Sequence, residues 1–124
     1  MQIKQFIEEA NRTNAPLESS QLTDIHMLMG MVTEVGELMD VYKKNLAYTK
    51  PMDLVNVQEE IGDLMWYVAG FCKNNNFDLE RILDVCIEKL KARYPEKFSR
   101  DSAINRNLSR ERSILEQMRD SSGI

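Results

Sequence analysis

Two stretches of the chain carry the same acidic phrase: EVGELMD, from Glu34 to Asp40, and EIGDLMW, from Glu60 to Trp66. Each is an acid, a β-branched residue, a glycine, a second acid and then Leu-Met, and the two copies start 26 positions apart. Acids three residues apart share a face on a helix. Glu34 and Glu37 therefore point one way from one helix, and Glu60 and Asp63 point one way from another. Four carboxylates on adjacent helices repel one another, and a hard divalent cation relieves that repulsion. Oxygen-only ligands suit Mg²⁺ or Mn²⁺ rather than zinc. A di-iron carboxylate bundle needs Glu-x-x-His pairs. The single histidine, His26, has Thr23 three residues before it, so that chemistry is set aside.

The surroundings set these acids apart from an ordinary solvated face. Between Ile25 and Val41 the strongly polar side chains are His26, Thr33, Glu34, Glu37 and Asp40, and between Ile61 and Cys72 the one charged residue is Asp63. A helix apolar nearly all round is a buried helix, and a buried carboxylate is costly unless it is paired or binds a metal. The expectation is four buried acids around a cation. Gly36 and Gly62 lie within these stretches. Each costs about 1 kcal/mol relative to alanine in a helix, which points to close helix–helix approach there.

The elements that position these acids read as all-α. Ile3, Phe6, Ile7 and Ala10 give a first helix over 1–14, broken by Asn14, Pro16 and the serines at 19–20. A second spans about 21–42, with Ile25, Leu28, Val32, Val35 and Met39 as its apolar stripe. Residues 46–51 read as a loop, with Pro51 at the start of a third helix over about 52–73. Asp78 reads as the N-cap of a fourth that ends near Arg93, ahead of Pro95. Residues 99–108 read as a polar linker, and 109–118 as a short terminal helix with Ile114, Leu115 and Met118 on its apolar face. No strand-like alternation stands out.

Composition narrows the functional classes. At 124 residues and 43% hydrophobic content, the chain suits one soluble domain. Its net charge of −4 argues against a nucleic acid polymer as partner. The 20 acids exceed the 16 basic side chains by four, so without the two acidic pairs the chain would be neutral. The apolar run from Leu64 to Cys72 is far too short to span a bilayer, so no membrane partner is expected. Cys72 and Cys86 form no CxxC and no metal-ligand spacing with His26, and no secretory signal follows Met1. They read as reduced thiols in a cytoplasmic protein. The second and third helices are more apolar than a single four-helix layer can bury, which implies a homo-oligomer.

Further residues flank the acidic phrases. Tyr67 lies four residues after Asp63 on the same face, with Asn56 seven before Asp63, and Trp66 points off that stripe. These three are candidates for a base or sugar wall; core or dimer packing is the competing use of the two aromatics. Lys43 and Lys44 end the second helix, and solvated lysines are their simpler reading, as a packed or surface histidine is for His26.

Glu34-x-x-Glu37 followed by Glu60-x-x-Asp63 resembles the metal motif of the MazG-like all-α nucleoside triphosphate pyrophosphohydrolases, relatives of the dimeric dUTPases and of dCTP pyrophosphatase. LMGMVTEVGELMDVYKKNL, EEIGDLMWYVAG and EKLKARYPEKFS are each similar to segments of small MazG-like proteins of bacteria and phages. The resemblance covers residues 22–107, including DSAINR. It implies a four-helix catalytic domain over 1–98, with 99–124 as a C-terminal linker and short helix in oligomer contacts. It implies hydrolysis of a nucleoside triphosphate to monophosphate and pyrophosphate with Mg²⁺, in a homodimer or dimer of dimers, in a bacterial or phage-encoded cytoplasmic protein. It further implies Glu34, Glu37, Glu60 and Asp63 as metal ligands and Lys89 and Arg93 as phosphate contacts. Glu34 is assigned the proton-accepting role. Lys89 and Arg93 are four apart and share a helix face, although basic residues also suit a helix C-terminus. Many relatives carry asparagine where this chain has Cys86, and a thiol is a poor substitute donor and acceptor. The base is left open, as is attack at the α- or β-phosphorus. The competing class is a metal-stabilised helical dimer that binds a nucleotide or protein partner without cleaving anything.

Overall fold

The computed structural model of the chain describes residues 1–122, with side chains up to Met118. The last two residues of the expected 99–124 segment lie outside the described residues. Six helices follow one another: α1 (Ile3–Arg12), α2 (Ser20–Tyr48), α3 (Leu54–Asn74), α4 (Leu79–Arg93), α5 (Arg100–Ile104) and α6 (Leu108–Ser122). No strand occurs among the described residues, as the all-α reading expects. None of the helices is long and apolar enough to cross a membrane. The helices group into two compact units, Met1–Asn75 and the part from Asn76 onward.

Side-chain caps explain most of the starts. Ser19 Oγ accepts from Leu22 N–H at 3.1 Å, Asp53 Oδ1 from Asn56 N–H at 3.1 Å, and Asp78 Oδ1 from Arg81 N–H at 3.2 Å. Ser99 Oγ accepts from Ser102 N–H and Asn107 Oδ1 from Arg110 N–H, each at 3.1 Å. Each such cap contributes about 1 kcal/mol. Two expectations change here. Asp53 starts α3, so Pro51 belongs to the connection before it. The segment read as a linker contains α5, a single capped turn.

α2 also runs six residues past its expected end. Nothing between Tyr42 and Tyr48 breaks a helix, and Asp40 supports the extension by pairing with Lys44 at 2.7 Å and Lys43 at 3.8 Å. The helix stops at Thr49, whose left-handed φ of 53° lets Lys50 N–H turn back to the Lys44 carbonyl at 3.2 Å. Pro51 then disfavours helical geometry at Lys50.

In the first unit α2 and α3 pack antiparallel, and α1 lies on α3. The face of α2 turned to α3 carries Thr23, Met27 and Gly30, all buried. The stripe of Ile25, Leu28, Val32, Val35 and Met39, expected as the packed face, stays open, with Val32 71% and Met39 68% exposed. A helix apolar on several sides offers more than one packing face, and α3 takes the one where glycine permits close approach. Gly30 lies directly under the Tyr67 ring, and Gly70 lies under the Met27 sulfur at what would be 2.5 Å from an added Cβ. Gly36 and Gly62, the positions the sequence pointed to, meet nothing within 4 Å of an added Cβ. Trp66 ties α1 down by donating from Nε1 to the Ala10 carbonyl at 3.1 Å and to Thr13 Oγ1 at 2.9 Å.

In the second unit α6 packs on α4. Glu111, buried in the first turn of α6, accepts from Arg93 and Arg106 together. Hydrogen bonds from Arg106 and then Arg93 hold its carboxyl down at about 2, against an ordinary value of 4.5. That contribution to stability is present above pH 4.5 and is lost as pH falls from there toward 2.

The glycines separate packing from propensity. An added methyl at Gly30 must displace Tyr67, whose ring is bracketed edge-on by Trp66 at 5.0 Å and His26 at 6.1 Å. Gly30→Ala is expected to lower the unfolding free energy in urea titration by about 1–3 kcal/mol, although alanine is the better helix former. Gly36→Ala is expected to raise it by roughly 0.5–1 kcal/mol. Equal effects at the two positions would contradict the close α2–α3 approach.

Candidate metal centre

The antiparallel pairing that sets Gly30 against Tyr67 and Met27 against Gly70 also sets Glu34 and Glu37 of α2 beside Glu60 of α3. Each of these three acids offers one carboxylate oxygen, and the three oxygens lie within 4.8 Å of one another. Asp63 is not among the three drawn together, although its charge is felt at both Glu37 and Glu60. Burial differs from the expectation of four buried acids. Glu60 is buried, Glu34 is half-buried, and Glu37 and Asp63 are exposed. The acids lie beyond the close contacts at Gly30 and Gly70, where the surroundings are open enough that nothing comes within 4 Å of a Cβ added at Gly36 or Gly62.

The electrostatics are those of crowded like charges. Close contact with the Glu60 carboxylate, followed by the Glu60 charge, pushes the Glu37 carboxyl above its ordinary 4.5. Contact with Glu34, then burial, pushes Glu60 up as well. Glu34 Oε2 and Glu60 Oε2 are both sealed from solvent and have no hydrogen-bond partner. A buried carboxylate oxygen without a donor is strongly disfavoured. The remaining Glu60 oxygen is served by Asn56: with its amide nitrogen turned to the acids, Asn56 donates to Glu60 Oε1 and Glu59 Oε2, each at 3.2 Å. Two orphaned oxygens, a third carboxylate beside them and a fourth nearby fit a hard divalent cation. The donor set is oxygen alone, which suits Mg²⁺ or Mn²⁺.

The other candidates have varied surroundings. Tyr67 is half-buried and faces α2 over Gly30, next to His26. Trp66 spends its N–H on α1, the packing use of that residue. Lys43 and Lys44 are engaged with Asp40. Lys89 and Arg93 belong to α4 in the second unit. Lys89 is half-buried and makes no ion pair among the described residues, whereas Arg93 is held by Glu111. Cys86 is half-buried, and Cys72 is buried with its thiol pushed up by desolvation. Glu111 and Arg106 are the charged residues that sequence reasoning missed. The available signal was an acid set in the strongly basic run RNLSRER.

A pH dependence follows. The raised Glu37 and Glu60 carboxyls favour the folded state below 4.5, and that contribution is lost as pH rises through their raised values. In EDTA, the melting temperature of the wild type relative to Glu60→Gln is therefore expected to fall as pH rises from 4.5 to neutral. Mg²⁺ or Mn²⁺ at 100 times its Kd is expected to restore about 2.7 kcal/mol to the wild type at neutral pH, and little to Glu60→Gln. Melting curves that ignore both pH and metal would contradict the site.

A family model described as the MazG nucleotide pyrophosphohydrolase domain matches residues 22–98. The match contains α3 and α4 whole, all of α2 beyond its first two residues, and with them all four acids of the two phrases. Comparison with curated proteins and with solved structures gave no match. The family agrees with the one the acidic phrases resemble, and the chain belongs to the MazG nucleotide pyrophosphohydrolase domain family.

Proposed function

We propose that the protein is a Mg²⁺-dependent nucleoside triphosphate pyrophosphohydrolase, converting a (d)NTP and water to the (d)NMP and pyrophosphate, with Mn²⁺ able to serve. The observation that carries this reading is the pair of buried, partnerless oxygens, Glu34 Oε2 and Glu60 Oε2, inside the stretch that matches the family. Glu34, Glu37 and Glu60 hold the cation, and Asp63 completes the set. A cation held there supplies charge neutralisation for phosphate oxygens and makes a water easier to deprotonate. Glu34, half-buried with one orphaned oxygen, takes the proton from the attacking water. Asn56 keeps the Glu60 carboxylate in place through its amide. Lys89 and Arg93 bind phosphate oxygens, and Tyr67 offers a ring to the base or sugar. Attack at the α- or the β-phosphorus gives the same two products.

The open stripe of α2 supports a homo-oligomeric state, a homodimer or a dimer of dimers. Apolar side chains as exposed as Val32 and Met39, in one continuous row with Ile25, Leu28 and Val35, are unusual on a monomer. Light scattering at micromolar concentration is expected to return a multiple of 14.4 kDa. A monomer mass would contradict this part of the reading.

Pyrophosphate release from a panel of NTPs and dNTPs tests the activity. Release is expected with Mg²⁺ or Mn²⁺, is abolished by EDTA, and is accompanied by the monophosphate. Glu60→Gln is expected to lower turnover by more than the roughly 100-fold that loss of an outer-shell partner costs, with helix content unchanged. Undiminished turnover in Glu60→Gln overturns the assignment. Binding of intact triphosphate without cleavage across the whole panel favours a non-catalytic helical module.

A further inference from the structure

Glu111 is the one buried residue of α6 among those described, and it is an acid. Ile114 and Leu115 are half-buried, and Leu108 is open. A polar clamp therefore joins α6 to α4 beside these half-buried apolar side chains. Arg93 of α4 forks the Glu111 carboxylate, with Nη2 at 2.6 Å and Nε at 3.3 Å. Arg106, in the turn before α6, forks it again, with Nη2 at 2.8 Å and Nε at 3.2 Å. Two guanidiniums on one carboxylate leave one positive charge unbalanced. The planar fork that fits a carboxylate also fits two oxygens of a phosphoryl group. A phosphoryl dianion would neutralise both forks, where the single carboxylate neutralises one.

We propose that Arg93 and Arg106 form a phosphoryl-anion site whose resident anion is the Glu111 carboxylate, and that a phosphorylated ligand displaces Glu111 and frees α6 from α4. The proposal rests on the phosphate-binding reading of Arg93 given above. It adds Arg106 as the second cation and Glu111 as a built-in competitor, which makes α6 a latch on that site. Accessibility supplies the way in: the Arg106 side chain is 39% exposed and that of Arg93 16%, against 4% for Glu111. Arg106 also lies between α5 and α6 rather than within either, so it can follow an incoming anion without breaking a helical hydrogen bond.

The test uses the full chain and inorganic pyrophosphate as the probe, in EDTA, so that neither the acid cluster nor turnover enters the result. Glu111→Gln keeps the side-chain size and removes the competing charge. In calorimetry it is expected to bind pyrophosphate at least tenfold more tightly than the wild type, and adding Arg106→Gln is expected to abolish the gain. A folded Glu111→Gln with unchanged or weaker affinity overturns the latch. If Glu111→Gln does not fold, hydrogen exchange of the wild type decides. Saturating pyrophosphate is expected to speed exchange of the amides of residues 108–118 relative to those of α4, and unchanged or slower exchange refutes the proposal. Tight metal-free binding alongside a silent triphosphate panel would separate failure of the enzymatic reading from failure of this one.

Discussion

The mutual repulsion of Glu34, Glu37 and Glu60 is the constraint around which the first unit is arranged. Three carboxylates whose oxygens lie within 4.8 Å repel one another, push Glu37 and Glu60 above the ordinary carboxyl value and oppose the packing that brings them together. The close approach of α2 and α3 has to overcome that opposition. It does so where the chain places its small residues, with Gly30 beneath Tyr67 and Gly70 beneath Met27. Trp66 then fixes α1 against α3 through two hydrogen bonds from one N–H. The packing residues lie toward one end of the helix pair and the acids beyond them, so apolar contact at one place stabilises electrostatic crowding at the other. A divalent cation converts that crowding into a binding site, because the same orphaned oxygens that are unfavourable alone become ligands.

Much of this was legible in the sequence because acids are conspicuous on apolar helices. The repeated phrase named the residues that meet, and the start and end of α4 followed from Asp78 and Pro95. The packed face of α2 was not legible. Apolar side chains occupy several sides of that helix, and periodicity alone gives no reason to prefer the Thr23–Met27–Gly30 side over the Ile25–Val32–Met39 side. The glycines misled for a related reason. A glycine in a helix marks either close approach or open space, and Gly36 and Gly62 fall in the second class within one chain. The length of α2 was missed because residues 42–48 are all exposed and show no packed apolar face, while Asp40 pairing with Lys43 and Lys44 supports the helix locally. α5 was missed because one capped turn has too few residues to show a period.

The two units use buried charge in opposite ways. In the first, like charges gather and leave oxygens without donors. In the second, Glu111 has more donors than its charge can balance. The first arrangement calls for a cation and the second for a further anion.

The central claim is that the acids of α2 and α3 form one cation site. Anomalous scattering from crystals soaked in Mn²⁺ tests it most directly. The account predicts a peak coordinated by carboxylate oxygens of Glu34, Glu37 and Glu60, absent from crystals of Glu60→Gln. A peak elsewhere, or none at a manganese concentration that supports or stabilises the protein in solution, would contradict it.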